Sequence, residues 1–361
     1  MSELPTLPKK RSIRRVIFGL INTVVLLGSA FFVAFVPSPY VIENPGPVYN
    51  VLGTYAGQPL LEIPGEKTYP TSGDLDLLTI TIDGTPSRGV SWIQVGFSLL
   101  DQGKKLYLRE EIFPPGSSDQ QVAEEAEQMM VDSQMNSKAA ALNELGIPVT
   151  TSVKVTSVTK TGAAWKILRA GDTLLRVDGD KATGIEQVRA AVAKTEGKRP
   201  LVLDISRNGR ELTFEITPKK VDGKWRLGIF VQSISEFPFE IKISLDNVSG
   251  PSGGQIFALA IYDLLTPGQL TGGQKIAGTG TIDPDGTIGP IGGIQSKMYG
   301  AVRAGAKYFL APSSNCDEVV GNIPDGLQVI SVSKLDDSIA ALEAISSGKA
   351  GSLPACTVEG K

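Results

Sequence analysis

The sequence contains no histidine among its 361 residues. A Ser-His-Asp triad, a Cys-His pair and a His-ligated zinc site are therefore excluded. If the protein is a hydrolase, its general base must be a lysine, an aspartate, a glutamate or a terminal amine. We expect neither a metal nor a cofactor.

The sequence also lacks the motif for binding nucleotide phosphates. A Walker A loop needs Gly-Lys followed by Ser or Thr, and the Gly-Lys pairs inside this sequence continue with Lys105, Arg199, Trp225 and Ala350. The net charge is −3, although the first 36 residues carry five basic side chains and one acid. The remaining chain is therefore acidic, which gives no electrostatic reason for nucleic-acid binding. We expect neither nucleotides nor nucleic acids as partners.

Cysteine is rare, since only Cys316 and Cys356 are present. They lack a Cys-x-x-Cys spacing, so they form no metal or redox motif. Disulfides persist in oxidising compartments. A bridge would close a loop of about 40 residues and would contribute about 4 kcal/mol in the chain-entropy model. Two unpaired thiols are the alternative.

A long hydrophobic run is present near the N-terminus. Residues 16–36 are 21 uncharged residues that follow a basic segment, residues 1–15. A helix of about 20 residues spans the ~30 Å hydrocarbon layer of a bilayer, and basic flanks stay in the cytoplasm. A cleaved signal peptide is the alternative, but its apolar region would be only about 7–15 residues long. The run predicts a single-pass cell-membrane protein that contacts lipid through residues 16–36 and has its ectodomain outside.

The first part of the ectodomain, residues 37–145, is predicted to combine strands and a helix. β-Branched and aromatic residues predict strands over 76–83 and 89–100. Ser118 and Gln121 have the spacing of a capping box. The helix that they open is expected to end near Leu145, where Gly146 is a natural stop.

Residues 146–220 have the pattern of a small α/β unit. Strands are expected over 153–158, 201–206 and 212–217, a helix over 185–194, and a hairpin turn at Asn208-Gly209. This order, and the segment AGDTLLRVDG at 170–179, resemble a PDZ domain of the bacterial, protease-associated type. The resemblance implies that an extended peptide joins the sheet as a strand, usually with its terminal carboxylate captured. It places peptide binding at Gly146, Ile147 and Val188.

The strongest functional signal lies in residues 226–347. The segment NVSGPSGG, residues 247–254, leads into an apolar helix expected over 255–265. A serine at such a loop-to-helix junction, here Ser252, has free backbone N–H groups beside it and the positive end of a helix near it. Both would stabilise an oxyanion. The alternative is that Ser252 only caps the helix.

A lysine follows this serine after 45 residues. Lys297 lies among apolar residues in a helix expected over 294–304. A lysine that acts as a base must be neutral, and the ordinary lysine pKa near 10.4 leaves only about 0.1% neutral at pH 7.4. Burial and a nearby helix N-terminus would lower the pKa of such a lysine. A solvated surface lysine is the alternative.

Three segments together resemble the proteolytic domain of the Lon proteases over about 120 residues: GPSGG at 250–254, AGTG at 277–280 and IGGIQSK at 291–297. The resemblance implies that Ser252 is the nucleophile and Lys297 the general base. It gives Thr279 a supporting hydrogen bond and makes Gly250 and Gly253 supporting residues of the serine loop.

The order of anchor, PDZ unit and Lon-like domain without an ATPase resembles the PDZ-containing Lon-like endopeptidases of bacterial membranes. The resemblance implies an α+β fold: a transmembrane helix and a Lon-like domain of ribosomal-protein-like α/β fold with an inserted PDZ domain. Residues 37–145 would complete the Lon-like unit, and 348–361 would form a C-terminal tail.

The implied function is an ATP-independent serine endopeptidase for exported or membrane-associated proteins, which the PDZ domain captures in part, through their C-termini. Family analogy adds a homo-oligomer. Lon has an acid where this chain has Ser249 and a glutamate where it has Thr281. An inactive resting form, a catalytically silent membrane-tethered PDZ scaffold or sensor, and a different Ser-Lys hydrolase therefore stay open as alternatives.

Overall fold

The structure is a computed structural model that describes residues 10–55, 57–114, 116, 118–182, 184–221, 223–245 and 248–357. Part of the predicted cytoplasmic tail (residues 1–9), the start of the predicted serine segment at Asn247 and the last four residues of the predicted C-terminal tail lie outside the described residues.

The secondary structure alternates short strands with helices. The helices are α1 Lys10–Phe35, α2 Trp92–Ser98, α3 Arg109–Ile112, α4 Asp119–Glu144, α5 Ile185–Lys194, α6 Gly254–Leu265, α7 Ile294–Arg303, α8 Cys316–Val319 and α9 Leu335–Ser346. The strands are β1 Tyr40–Asn50, β2 Thr54–Tyr55, β3 Gln58–Pro59, β4 Leu61–Glu62, β5 Asp74–Asp83, β6 Lys105–Leu108, β7 Thr150–Val158, β8 Thr173–Val177, β9 Asp180–Lys181, β10 Leu201–Arg207, β11 Arg210–Ile216, β12 Lys219–Val221, β13 Lys224–Arg226, β14 Ile229–Glu236, β15 Lys242–Ile243, β16 Lys275–Gly278, β17 Thr281–Ile282, β18 Ile288–Gly289, β19 Tyr308–Pro312 and β20 Gln328–Val332.

The chain divides into two units, Met1–Gly46 with Ile80–Val122, and Pro47–Thr79 with Ala123–Lys361. In the first unit, β1 pairs antiparallel with β6 from Tyr40 opposite Leu108 to Glu43 opposite Lys105. A small core of Ile42, Val90 and Val95 lies beside this pair, with Tyr40 and Leu106 packed against it. We call this part the first unit below.

Helix α1 belongs to the first unit. Within the part of the chain that the structure describes, Arg15–Phe35 is the one helical stretch long and apolar enough to cross a membrane, with a mean hydropathy of 2.3 and no buried residue. This agrees with the helix predicted from residues 16–36.

The strand predicted over 89–100 is wrong, because the structure has helix α2 there. Ser91 is its N-cap, and Gln94 Oε1 accepts hydrogen bonds from both the N–H and the Oγ of Ser91 at 2.9 Å. This local capping box favours a helix start. The aromatic residues that indicated a strand, Trp92 and Phe97, point into solvent.

The second unit contains a parallel sheet that carries the Lon-like motifs. Strands β20, β19, β16 and β5 lie side by side in that order, and the parallel register pairs Ile276 with Leu75 on one side and with Tyr308 on the other. Strand β5, from the N-terminal part of the chain, therefore completes this sheet. Helix α6 is mostly apolar, as expected of a helix buried on every side, with Gln255 and Asp263 as its buried polar residues, and residues 254–261 are fully buried.

Helix α4 matches the predicted helix closely. Gln121 Oε1 accepts the N–H of Ser118 at 3.1 Å, and Ser118 Oγ accepts the N–H of Gln121 at 3.2 Å. At the other end, the N–H groups of Gly146 and Ile147 donate to the carbonyls of Asn143 and Leu142 at 3.0 and 2.8 Å. The capping box is therefore present where the sequence predicts it.

These terminal hydrogen bonds lie at the predicted carboxylate-capture loop. The amides of Gly146 and Ile147 are engaged by the helix end, and Ile147 packs against the core that surrounds α6. Val188, the third residue predicted to bind peptide, is 4% exposed within the PDZ core. Peptide binding at these three residues stays a prediction.

The PDZ sheet has the strand order β11-β10-β8-β7-β14. Strand β14 pairs antiparallel with β7, from Ile229 opposite Val158 to Glu236 opposite Thr150. This sheet therefore takes its last strand from residues 229–236, which follow the segment 146–220 predicted for the PDZ domain.

The described part of the C-terminal tail is fastened to the second unit. Cys316 and Cys356 form a disulfide across a sequence separation of 40 residues. The N–H of Ser331, on β20, donates to the carbonyl of Pro354 at 2.9 Å. The segment before Cys356 thus runs along the last strand of the parallel sheet.

Candidate active site

The predicted nucleophile lies on the loop that enters α6. Ser252 is half-buried and directly precedes Gly253, the N-cap of the helix. Its own carbonyl accepts the N–H of Gly280 at 2.9 Å. The sequence therefore brings the GPSGG loop and the AGTG segment together through the backbone.

Lys297 lies in the first turns of α7, and its N–H donates to the carbonyl of Gly293 at 3.0 Å. Gly293 begins the helix with a left-handed φ of 74°, a conformation that favours glycine. The side chain of Lys297 is buried, since the residue is only 1% exposed. Its Nζ donates to Ser252 Oγ at 2.7 Å. Two residues 45 positions apart in sequence thus form one contact.

Thr279 completes a triangle of hydrogen bonds. Its Oγ1 accepts a hydrogen bond from Lys297 Nζ at 2.8 Å and donates to the carbonyl of Ser252 at 3.0 Å. Thr279 is fully buried at the carboxyl end of β16. A buried hydroxyl that both accepts and donates in this way holds the amine and the serine loop in one fixed geometry.

Helix α4 supports the serine loop, which sequence reasoning missed. Ser133 Oγ donates to the carbonyl of Pro251 at 2.8 Å, and the N–H of Gly250 donates to the carbonyl of Ala126 at 2.8 Å. These contacts join residues more than a hundred positions apart in the sequence, and no local sequence motif predicts them. Helix α4, which lies in the N-terminal part of the ectodomain (residues 37–145), is therefore part of the site.

The glycines of the loop allow this close packing. Gly250 has a φ of 87°. A Cβ on Gly253 would lie 2.5 Å from Leu77 Cδ1 on β5, and one on Gly254 would lie 2.9 Å from Ile282 Cγ2. A side chain at either position would have to displace its neighbour. The loop can approach the sheet because these residues lack a Cβ.

A groove with a volume of about 880 Å³ adjoins the serine loop at Pro251. Its walls come from α4, from the loop and strands around β17 and β18, and from the PDZ domain. Residues of these three walls include Met129 and Ser133, then Thr281 and Asp283, then Lys181, Ile185 and Arg189. PDZ residues thus line a groove that also touches Pro251, the residue before Ser252.

One carboxylate beside the site has an unusual electrostatic environment. Burial raises the pKa of Asp76 to about 6, although the Lys275 ammonium opposes this rise. Lys275 Nζ lies 3.7 Å from Asp76 Oδ2 and 3.1 Å from Asp74 Oδ2. Asp76 on β5 is paired with Ala277 on β16. Asp76 therefore takes up its proton at a higher pH than an ordinary aspartate does.

A metal centre does not emerge from the described residues. No group of three or more His, Cys, Asp or Glu side chains within these ranges is arranged to hold a metal ion. The chemistry of the site, as far as the structure describes it, comes from hydroxyl, amine and backbone groups.

Comparisons with known proteins find matches to the proteolytic part and to the PDZ part of the chain. Residues 246–344 match the family model of the Lon protease (S16) C-terminal proteolytic domain, and residues 128–217 match that of the PDZ domain. The Lon protease of Azospirillum brasilense is 36% identical over 91 residues, which are 24% of this chain and 11% of that protein. Lon protease 1 of Bacillus subtilis (strain 168) is 28% identical over 164 residues, 43% of this chain and 20% of the relative.

Among solved structures, the PDZ domain of an SdrC-like protein from Listeria monocytogenes is 20% identical, with a TM-score of 0.21. That match covers 22% of this chain and 85% of that one. The chain spans only 11% to 20% of the Lon proteases compared above.

The fold and the site define a mixed α/β protein that contains a Lon-type proteolytic domain and a PDZ domain. The two domains predicted from sequence are confirmed. A Lon-type proteolytic domain supports a serine protease.

Proposed function

We propose that this protein is an ATP-independent serine endopeptidase that cleaves with a Ser252–Lys297 dyad. The observation that carries the proposal is the 2.7 Å contact between Lys297 Nζ and Ser252 Oγ, made by a lysine that is 1% exposed. Nucleophile and base within hydrogen-bond reach, with the base held by a third group, are the signature of an activated nucleophile. The sequence supplies no Walker A loop for ATP.

The burial of Lys297 matters for its role. An ammonium group removed from water loses hydration, so the neutral amine is favoured. When neutral, the amine accepts the proton of the Ser252 hydroxyl across the same 2.7 Å. Thr279 keeps the amine pointed at Ser252 Oγ. Lysine can therefore perform the task that histidine performs in a triad.

The reaction then follows two linked steps. Ser252 Oγ attacks the scissile carbonyl carbon while Lys297 takes the hydroxyl proton. Lys297 returns this proton to the leaving amine as the C–N bond breaks, which leaves an acyl group on Ser252. Water next attacks the acyl carbon and gives a proton to Lys297, which passes it back to Ser252 Oγ.

Backbone donors beside the serine can stabilise the negative oxygen of the intermediate. Within the described ranges, no hydrogen bond uses the N–H of Ser252 or of Gly253. Both N–H groups lie at the N-terminus of α6, where the helix dipole favours negative charge. We assign the oxyanion hole to these two groups, since preorganised donors of this kind are a large catalytic contribution.

The substrate is an extended polypeptide in the groove beside Pro251. A volume of about 880 Å³ is within the common range for ligand sites, roughly 300–1,000 Å³. Because Lys181, Ile185 and Arg189 of the PDZ domain line the same groove, the PDZ domain borders the path of the substrate.

The PDZ domain captures peptides at β14. This strand lies at one end of the sheet order, with β7 on its other side, and an edge strand is where an extended peptide can add. Phe230 on β14 is 61% exposed, and β14 contacts α5. Gly228, which precedes the strand, has a φ of 75°. The loop from Leu227 to Gly228 is our candidate for carboxylate capture.

Helix α1 anchors the enzyme in a membrane with the N-terminus in the cytoplasm. Two observations support this: the apolar, unburied surface of α1 over Arg15–Phe35, and the five basic residues at or before Arg15. The substrates are then exported or membrane-associated proteins. A homo-oligomer is consistent with the family analogy.

The test is cleavage of an unfolded protein by the purified full chain in detergent. Ser252→Ala and Lys297→Met should each abolish cleavage while circular dichroism shows an intact fold. The double variant should be hardly worse than either single one, because nucleophile and base act as a unit. Ser249→Ala and Lys307→Met, at exposed positions, are the matched controls and should retain activity.

Full activity in either folded dyad variant would refute the dyad. No cleavage of any unfolded protein by the wild type, combined with peptide binding that Phe230→Ala abolishes, would favour a silent PDZ scaffold instead. Leu212→Ala, at an exposed position on the opposite edge strand, is the control for peptide binding.

A further inference from the structure

An apolar surface is exposed in the described part of the first unit. It consists of Trp92, Ile93, Phe97, Leu99 and Leu100, whose exposed fractions range from 37% for Trp92 to 81% for Leu100. We call it the α2 patch. Contiguous exposed apolar surface of this kind marks a binding surface.

The patch is built on a defined element. The capping box at its start fixes the first turn of α2, and Val95 and Ser98 form the buried side of the helix. The opposite side and the turn after it carry the apolar residues. Residues 89–100 contain no charge, whereas Arg88 and Asp101 border them. Most of the large apolar side chains of this segment are therefore exposed rather than buried.

The patch begins beside the end of α1. Helix α1 ends at Phe35, and two residues later Pro37 forms an antiparallel bridge with Ser91, the N-cap of α2. The N–H of Ser38 donates to the carbonyl of Val90 at 2.7 Å. Helices α1 and α2 are in contact. The apolar surface of α1 and the α2 patch are thus neighbours.

Aromatic residues lie at this junction. The rings of Tyr40 and Trp92 meet edge to face, with centroids 6.1 Å apart. Tyrosine and tryptophan are enriched where a transmembrane helix leaves the hydrocarbon layer. A helix with an apolar face and Trp, Phe and Leu side chains can lie in the plane of this interface.

We propose that the α2 patch inserts into the outer interface of the bilayer that α1 crosses, so that lipid is its partner. This inference rests on the membrane anchoring proposed above. The bilayer is preferred to a second copy of the chain because the patch continues the apolar surface of α1 at the level where α1 ends. The first unit is then held against the membrane at two places, by α1 and by α2.

Tryptophan fluorescence of the full chain can test this, because the sequence has three tryptophans. A Trp165→Phe/Trp225→Phe variant retains Trp92, and a Trp92→Phe/Trp225→Phe variant retains Trp165 as the control. The two reporters are matched in exposure, 37% and 39%. Both variants are reconstituted into phosphatidylcholine vesicles with brominated acyl chains, and flotation measures their membrane association.

We expect both variants to float with the vesicles and only Trp92 to be blue-shifted and quenched, by roughly twofold, since an interfacial helix buries its apolar side chains at the acyl boundary. Adding Phe97→Glu and Leu100→Glu to the Trp92 reporter should abolish this quenching and leave flotation intact, because α1 still holds the chain.

Flotation without selective quenching of Trp92 would overturn the α2 inference and leave the anchor standing. Failure to float would overturn both, and the cleavage test in detergent would be unaffected. Absence of quenching together with a smaller sedimenting species in the double glutamate variant would identify the patch as a contact between copies, which also contradicts the proposal.

Discussion

Replacing Thr279 with valine is the sharpest perturbation of the site that leaves nucleophile and base unchanged. The substitution keeps the shape of the side chain and removes its hydroxyl. Two hydrogen bonds are lost, the one that Oγ1 accepts from Lys297 Nζ at 2.8 Å and the one that it donates to the Ser252 carbonyl at 3.0 Å.

The two lost hydrogen bonds differ in how much they affect stability. The Ser252 carbonyl keeps the N–H of Gly280 as a donor at 2.9 Å, so it is not left without a partner. The buried amine of Lys297 loses an acceptor, and a buried group deprived of a hydrogen bond costs about 1–3 kcal/mol. We therefore expect Thr279→Val to lower the free energy of unfolding by about that amount. Looser placement of the amine should reduce kcat by about 10–100-fold, equivalent to about 1.4–2.7 kcal/mol.

Steady-state kinetics and urea unfolding measure both effects. Thr279 is fully buried and is not among the residues that line the substrate groove, so kcat should fall while KM stays nearly constant. A hydroxyl that accepts from the amine favours its protonated form, so its removal should move the ascending limb of kcat/KM to lower pH. Thr279→Ser keeps the hydroxyl and should restore activity. A fully active Thr279→Val, or a Thr279→Ser as impaired as the valine variant, would refute this reasoning.

Three further predictions follow from charge and covalent structure. Because the sequence has no histidine, kcat/KM should rise with pH as Lys297 becomes neutral. Lys297→Arg should be inactive at every pH from 6 to 10, because a guanidinium keeps its proton. A wild-type pH profile without an ascending limb would contradict this prediction. Burial raises the pKa of Asp76 to about 6, above its unfolded value near 3.9, so the ionised carboxylate destabilises the fold above pH 6 and this cost disappears as pH falls from 6 to about 4. Urea unfolding should therefore show that the free energy of unfolding of Asp76→Asn, relative to wild type, rises by up to about 3 kcal/mol between pH 4 and pH 8. A difference that does not change with pH would contradict this prediction. Reducing the disulfide, or replacing both Cys316 and Cys356 with serine, should lower the free energy of unfolding by about 4 kcal/mol for a loop of 40 residues, as measured by thermal unfolding. Free thiols in protein isolated from its native compartment would contradict the bridge.

Local signals predicted much of the fold. The capping box at Ser118 and Gln121, the helix of residues 185–194 and the turn at Asn208-Gly209 all depend on neighbouring residues. By contrast, β14 pairs with β7 across roughly 80 residues, and such a pairing leaves no mark in its own segment. The α2 segment misled because its apolar and aromatic residues favour a strand, whereas the capping box of Ser91 and Gln94 starts a helix there.

The site divides in the same way. Ser252, Lys297 and Thr279 stand in short motifs whose residue types follow from the chemistry, so the sequence could name them. The hydrogen bond of Ser133 to Pro251 could not be predicted, because serine within a helix is common and its target is 118 residues away. The PDZ residues of the groove, such as Arg189, likewise depend on how two domains of the second unit pack.

Covalent labelling of the nucleophile tests the central claim most directly. A fluorophosphonate reacts only with a serine whose hydroxyl has been activated by a base. Intact-mass and peptide mass spectrometry of the wild type at pH 8 should show a single adduct on Ser252, the same adduct in Ser249→Ala, and none in a folded Lys297→Met. An adduct on another serine, or undiminished labelling of Ser252 in Lys297→Met, would contradict the Ser252–Lys297 dyad.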